Sequence, residues 1–196
     1  MGCLIKLIQM NDVKKEQSYK SMLMFGMFSI VMLFAGLTSA YIVSKGYMGS
    51  QWSLVPLPQP FLYSLILICI SSVLLFFSKK YFEQEQGFYA KNFLLFCIIL
   101  GFGFCVTQYL GWKDLISDGY FFVGSSNASS YIYVFSGLHL AHLIFGLFFL
   151  LQSYVKMNSK YFPKESNITF KLKNWFWHFL GFLWVYLYCF LLFYNS

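Results

Sequence analysis

Long, unbroken runs of apolar residues dominate the sequence and recur five times, separated by short polar segments. Each run is about twenty residues long, enough for a helix to cross the roughly 30 Å hydrocarbon core of a bilayer. The runs are continuous rather than alternating, so they lack the pattern of a membrane β-barrel, and helices satisfy their own backbone hydrogen bonds in lipid. We predict an all-α protein with one membrane domain, residues 22–196, after an N-terminal segment, residues 1–21. Its five transmembrane helices cover about residues 22–44, 61–78, 93–112, 130–155 and 175–193.

Composition supports the same class. The chain is 59% hydrophobic and only 11% charged, whereas about a quarter of the residues in a soluble domain are charged. This balance excludes a soluble enzyme and a disordered chain. The fourteen basic residues are all lysines, and without arginine the chain has no planar fork for phosphate recognition or base stacking. We therefore expect no nucleic-acid partner.

The distribution of lysines predicts the orientation of the helices. Segments on the N-terminal side of the bundle carry twelve lysines, and the opposite side carries only Lys45 and Lys113. Loops facing the cytoplasm are enriched in lysine and arginine. The N-terminus is therefore predicted to lie inside and the C-terminus outside. The twelve are Lys6, Lys14, Lys15, Lys20, Lys79, Lys80, Lys91, Lys156, Lys160, Lys164, Lys171 and Lys173.

Ionisable residues inside a membrane domain are costly and mark candidate functional sites. All seven carboxylates lie outside the apolar runs, which argues against a proton-coupled transporter, but His139, His142 and His178 lie within them. Ligation of haem or metal is one interpretation. However, a rise of 1.5 Å per residue puts His142 and His178 at depths differing by about 14 Å, and two histidines alone make a poor zinc site. We favour interhelical hydrogen bonds that fix packing.

Small residues at helical spacing predict close helix contacts, either within the bundle or with partner subunits. Gly137 and Ala141 form a small-xxx-small pair, and Gly146 follows on the same helix. Such residues allow two helix backbones to approach closely in lipid. Both interpretations stay open at this point. Further candidates are Gly26, Ser29, Gly36, Ala40, Gly101 and Cys105.

Five motifs resemble cytochrome c oxidase subunit III, and they occur in the order found in that family. The segment Ser136–Gly146 resembles its G-x-H-x-x-H-x-x-x-G helix, and Trp177–Tyr188 resembles its final W-H-F-x-D-x-x-W helix. The other three correspond to the family's G-G-L-x-x-A-Y, L-P…S-S and L-G…Q-x-x-E-W segments. They are Phe34–Tyr41, Leu57–Pro58 with Ser71–Ser72, and Leu100–Gly101 with Gln108–Trp112.

The resemblance implies the five-helix form of this subunit in a haem–copper terminal oxidase of aerobic respiration. A protein of this kind would have no catalytic, cofactor-binding or metal-binding residues of its own. It would pack on the catalytic subunit I, contact other oxidase subunits and retain phospholipid, while haem and copper stay in its partners. We expect it in the bacterial cytoplasmic membrane rather than the mitochondrial inner membrane. Candidates for helix packing or subunit contact are His139, His142, His178, Gly137, Gly146, Trp177, Trp184, Gln108 and Trp112.

Three departures from the family pattern affect the expected role. The positions of the family's intramembrane acids are occupied by Ile30, Gly111 and Gly181. The missing acids argue against a direct role in proton uptake and favour assembly, packing and lipid retention. The alternatives are a quinol oxidase subunit III of the same fold, a small di-haem membrane cytochrome using the three histidines, and a transporter or assembly factor.

Overall fold

A computed structural model describes the backbone of residues 2–124, 126–158 and 167–195, and the side chains of residues 17–124, 126–157 and 169–194. The described residues form five α-helices and no strand, which confirms the predicted all-α fold. All five helices are long and apolar enough to cross a membrane. They are α1 (Gly2–Met48), α2 (Gln59–Glu83), α3 (Gly87–Ser117), α4 (Asn127–Asn158) and α5 (Asn167–Asn195).

Each helix extends beyond the apolar run that predicted it. The run over 61–78, for example, lies within a helix that ends only at Glu83. The first helix continues from Gly2 through residue 21 without a break, so much of the N-terminal segment is helical. Lysine, glutamate and glutamine are good helix formers, and the helices therefore continue past the apolar stretch that lipid would cover.

Buried positions on α2 follow an alternating spacing of three and four residues. This spacing is typical of helices that pack along a left-handed seam at a shallow crossing angle. The same repeat recurs on α3, so the two helices form a closely packed antiparallel pair. The α2 positions are Phe61, Ser64, Ile68, Ser71, Leu75 and Ser78. The α3 positions are Ala90, Leu94, Cys97, Gly101, Phe104, Gln108, Gly111 and Leu115.

The first helix lies at the edge of the bundle and contacts α4 and α5. Among its described side chains only Phe34, Thr38 and Tyr41 are buried, whereas residues 17–33 are exposed or partly exposed. Tyr41 is the anchor, because its ring contacts the rings of five aromatic residues from the loop after α1, from α4 and from α5. They are Trp52, Tyr131, Phe135, Phe190 and Tyr194.

The two ends of the bundle differ in charge. The lysine-rich end contains the short connection between α2 and α3, where Glu85 has a left-handed backbone (φ 60°), together with the first turns of α5. Its described lysines are Lys20, Lys79, Lys80, Lys91, Lys156, Lys171 and Lys173. At the opposite end Lys45 donates a hydrogen bond to the carbonyl oxygen of Tyr194. The lysine-rich end is the one predicted to face inside, and this orientation stays a prediction.

Candidate functional site

Two tryptophans of α5 reach across the bundle to two serines of α2. Trp177 donates its indole N–H to the Oγ of Ser71 at 2.9 Å, and Trp184 donates to the Oγ of Ser64 at 3.1 Å. Both indoles are fully buried, with 0% and 1% of their surface exposed. The tryptophans are seven residues apart and so are the serines, so the antiparallel helices meet in two equivalent rungs.

The rung at Ser64 is the centre of a polar layer that joins four helices. The Ser64 hydroxyl also accepts a hydrogen bond from Gln108 Nε2 at 2.9 Å and donates to the carbonyl oxygen of Phe61 at 2.7 Å. Its one hydrogen and two lone pairs are therefore all used. The His139 ring stacks on the ring of Trp184 at a centroid distance of 4.9 Å. Residues from α2, α3, α4 and α5 thus meet at one level.

The rung at Ser71 is closed by two glycines. A Cβ atom added to Gly101 would lie 2.9 Å from Cη2 of Trp177, and one added to Gly146 would lie 3.2 Å from Cε3 of the same ring. Trp177 is therefore wedged between α3 and α4 at positions where only glycine leaves room. Gly146 contributes to close helix packing inside this chain.

Trp112 and Gly137 lie together at the contact between α3 and α4. The indole N–H of Trp112 donates to Ser136 Oγ at 2.9 Å, and this hydroxyl donates in turn to the Ile132 carbonyl at 2.7 Å. A Cβ added to Gly137 would make only an ordinary contact, 3.9 Å from Trp112. Gly137 is therefore a looser contact than Gly101 or Gly146.

The three histidines lie in different surroundings. His139 is fully buried between Trp184 and Phe104. His142, although three residues away, is only partly buried. Its Nδ1 lies 2.6 Å from the Leu138 carbonyl and its ring faces Phe34 of α1 at 6.1 Å. His178 is partly buried on α5. Across the residues with described placement, no group of three or more His, Cys, Asp or Glu side chains is arranged to hold a metal ion.

The positions of the missing family acids are filled by neighbouring side chains. A Cβ added to Gly111 would lie 2.7 Å from Cδ1 of Phe61, and one added to Gly181 would lie 3.1 Å from Ser72 Oγ. Ile30 packs against the hydrophobic core as a partly buried residue. A carboxyl group at 111 would require the Phe61 ring to move, so packing around this position is matched to glycine.

A cleft of about 380 Å³ opens near the lysine-rich end, where the first half of α1 stands away from α4 and α5. Lys156 and Lys173 lie in its wall, and Lys173 Nζ donates to Gln152 Oε1 at 3.0 Å and to Ser153 Oγ at 2.9 Å. Nearer the middle of the bundle an apolar cleft of about 210 Å³ separates α1 from α5. The other residues of the first cleft are Tyr19, Leu23, Phe149, Thr169, Leu172 and Phe176.

The sequence analysis named Ser71 as part of a motif but missed the repeat of serines along α2. Ser64, Ser71 and Ser78 are all fully buried and are spaced seven residues apart. Ser78 donates to the Ala90 carbonyl of α3 at 2.8 Å. A polar residue recurring at every seventh position of an apolar run is visible in the sequence, and it could have predicted a buried hydrogen-bonding seam.

These features define an integral membrane protein of five helices, held by buried indole–serine hydrogen bonds. Residues 9–196 match the family described as Cytochrome c oxidase subunit III. A cytochrome c oxidase subunit 3 of Rhipicephalus sanguineus is 30% identical over 152 residues, covering 73% of this chain and 56% of that protein. A probable cytochrome c oxidase subunit 3 of Rickettsia prowazekii (strain Madrid E) is 28% identical over 140 residues, covering 69% and 48%.

The chain belongs to the cytochrome c oxidase subunit III family, and the resemblance carried by its five motifs is confirmed. It spans about half the length of the curated relatives that it matches. The protein of Struthio camelus, for example, is 28% identical over 150 residues, which are 72% of this chain and 54% of that relative.

Proposed function

We propose that this protein is a non-catalytic subunit of a haem–copper terminal oxidase, which packs on the catalytic subunit I and supports the assembly without binding haem or copper itself. The observation that carries the proposal is the family match over residues 9–196, on a bundle whose buried polar side chains bond to one another. The serines of α2 accept hydrogen bonds from Trp177, Trp184 and Gln108. They hold helices together instead of presenting a reactive group.

The placement of the histidines supports the absence of a redox centre in this chain. Haem iron bound by two histidines needs both rings on opposite sides of one iron. His139 instead has Trp184 stacked on its ring, and the His142 ring faces Phe34 of α1. This arrangement favours the oxidase subunit over the small di-haem cytochrome.

Phospholipid retention is the second part of the proposal. The cleft of about 380 Å³ beside α1 has lysines at the end of the bundle where helix ends would meet the lipid headgroups. The separate apolar cleft between α1 and α5 lies nearer the middle of the bundle. Lysine near a membrane surface attracts anionic headgroups, by about 1 kcal/mol per residue. The lysines of the first cleft therefore fit an anionic headgroup, and the apolar lining of the second fits an acyl chain that runs along α5. We propose the bacterial cytoplasmic membrane as its location, rather than the mitochondrial inner membrane.

The experiment is gentle detergent extraction of the affinity-tagged chain, followed by mass analysis of everything that remains attached. We expect a large haem-bearing subunit and further oxidase subunits to be recovered with it. Recovery of the chain alone, with a haem absorption of its own, would support the di-haem cytochrome instead. A control extraction in a harsh detergent should release the same chain free of haem.

A further inference from the structure

Three buried polar atoms in the layer around Trp184 have no hydrogen-bond partner among the described residues. They are Nδ1 and Nε2 of His139 and Oε1 of Gln108. Both side chains have 0% of their surface exposed. A buried polar atom left without a partner costs about 1–3 kcal/mol, and nearly all such atoms in proteins bond to protein or to ordered water.

The side chains that bond to or stack on these residues, namely Ser64, Trp184 and Phe104, cannot serve as partners. The Ser64 hydroxyl already accepts from Gln108 and Trp184 and donates to the Phe61 carbonyl, which uses its full capacity. The indole N–H of Trp184 is committed to Ser64, and Phe104, which packs on His139 with its ring centroid 5.7 Å away, has no polar atom. The layer therefore contains polar atoms for which its own side chains provide no hydrogen-bond partner.

A group that bonds to these atoms must be small. Because His139 is fully enclosed by this chain alone, a side chain from another subunit or a lipid headgroup cannot reach it without opening the bundle. The layer is also deep. His139 is twelve residues into α4, about 18 Å from the end of that helix at a rise of 1.5 Å per residue. A water molecule fits these limits, because it can donate and accept and commonly bonds to two to four buried polar groups.

We propose that the layer formed by Ser64, Gln108, His139 and Trp184 is a binding site for buried water, held by the imidazole nitrogens of His139 and the carbonyl oxygen of Gln108. The site goes beyond the proposed function and does not depend on it. Water at this level would bond to the polar atoms of Gln108 on α3 and His139 on α4 that Ser64 and Trp184 leave without a partner.

Water-edited solid-state NMR on the full chain in phospholipid bilayers tests the site, with histidine and tryptophan labelled with ¹⁵N. Trp177 is the matched dry control, because its indole N–H is equally buried and is bonded to Ser71. We expect transfer from water to a His139 ring nitrogen that is several-fold stronger than transfer to the Trp177 indole nitrogen. The variant His139→Phe assigns the signal by removing it. Transfer no stronger than that of Trp177 would overturn the proposal.

A structure of the assembled complex, at a resolution that shows ordered water, gives an independent test. Density within about 3.2 Å of a His139 nitrogen or of Gln108 Oε1, not belonging to the protein chain, is the expected result. A direct hydrogen bond from another side chain to His139, or apolar packing around both nitrogens, would overturn the proposal.

Discussion

The indole N–H of Trp177 on α5 bonds to the hydroxyl of Ser71 on α2, over a distance of 2.9 Å. One heptad further along each helix, in opposite directions, Trp184 repeats the bond with Ser64. The spacing of tryptophans in the final helix motif thus has a physical origin. Two residues seven apart lie on one helix face, and they match two serines with the same spacing on an antiparallel neighbour.

The serine substitutions Ser64→Ala and Ser71→Ala should both destabilise the protein, and Ser64→Ala should cost more. Loss of Ser71 leaves one buried indole N–H unpaired, whereas loss of Ser64 leaves the donors of both Trp184 and Gln108 unpaired. Side-chain hydrogen bonds within membranes contribute about 0.6 kcal/mol on average and up to about 1.7 kcal/mol. Unfolding in mixed micelles measures the difference. The control is Ser29→Ala, at an exposed serine of α1, and equal losses for all three variants would contradict the assignment.

The substitution Gly101→Ala should be damaging although it adds one methyl group. The new carbon would lie 2.5 Å from Cδ2 of Leu147 and 2.9 Å from Cη2 of Trp177, an indole fixed by Ser71 and by α4. Overpacking of this kind typically costs about 1–3 kcal/mol. The control Gly36→Ala should be tolerated, because no atom lies within 4 Å of the added carbon. Melting temperatures of the two variants, measured in the same detergent, test the prediction. A similar small change in both would contradict the close packing of Trp177 against Gly101.

The sequence predicted the five helices because twenty-residue apolar runs have few other outcomes in a membrane protein. It could not predict where the helices end, since polar residues beyond the lipid keep the helical backbone, as in the stretch from Ser78 to Glu83. The pairing of Trp177 with Ser71 could not be predicted from the sequence either. Hydropathy locates the membrane-spanning helices. It does not show which helix a buried hydrogen-bond donor contacts, because that depends on how the helices are arranged.

Small residues show the same limit. Gly101 and Gly146 on α3 and α4 serve close packing inside the chain. Gly26 and Gly36 on α1 are also glycines in an apolar run, yet no atom lies within 4 Å of an added Cβ at either position. The pattern therefore identified candidate contacts, and only the arrangement of α1 at the edge of the bundle distinguishes internal contacts from outward-facing ones.

The lipid proposal predicts that Lys156→Gln reduces the amount of anionic phospholipid that copurifies with the protein. Lys156 lies in the wall of the cleft beside α1, and removing one charge near the membrane surface weakens headgroup attraction by about 1 kcal/mol. Native mass spectrometry counts the lipids that remain bound. Lys80→Gln is the matched control, since Lys80 is exposed on α2 at the same end of the bundle. Equal lipid loss from both variants would contradict lipid binding in the cleft.

The subunit-contact hypothesis predicts that His142→Ala or His178→Ala weakens attachment to the catalytic subunit more than it changes haem content. Both imidazoles are only partly buried within this chain, and a polar ring in an otherwise apolar membrane surface gains from a partner on a neighbouring helix. Subunit stoichiometry and haem per complex are measured on the same preparation. Unchanged stoichiometry together with loss of haem would contradict the hypothesis and point to ligation.

The central claim is that this chain supports an oxidase and holds no redox group of its own. The most direct test separates the tagged chain from its complex and records absorption spectra of both fractions, with haem quantified against protein. The account predicts no Soret band in the separated chain and an unchanged amount of haem per catalytic subunit in the remaining complex. A Soret band that stays with the five-helix chain, and disappears on replacement of His139 or His178, would contradict it.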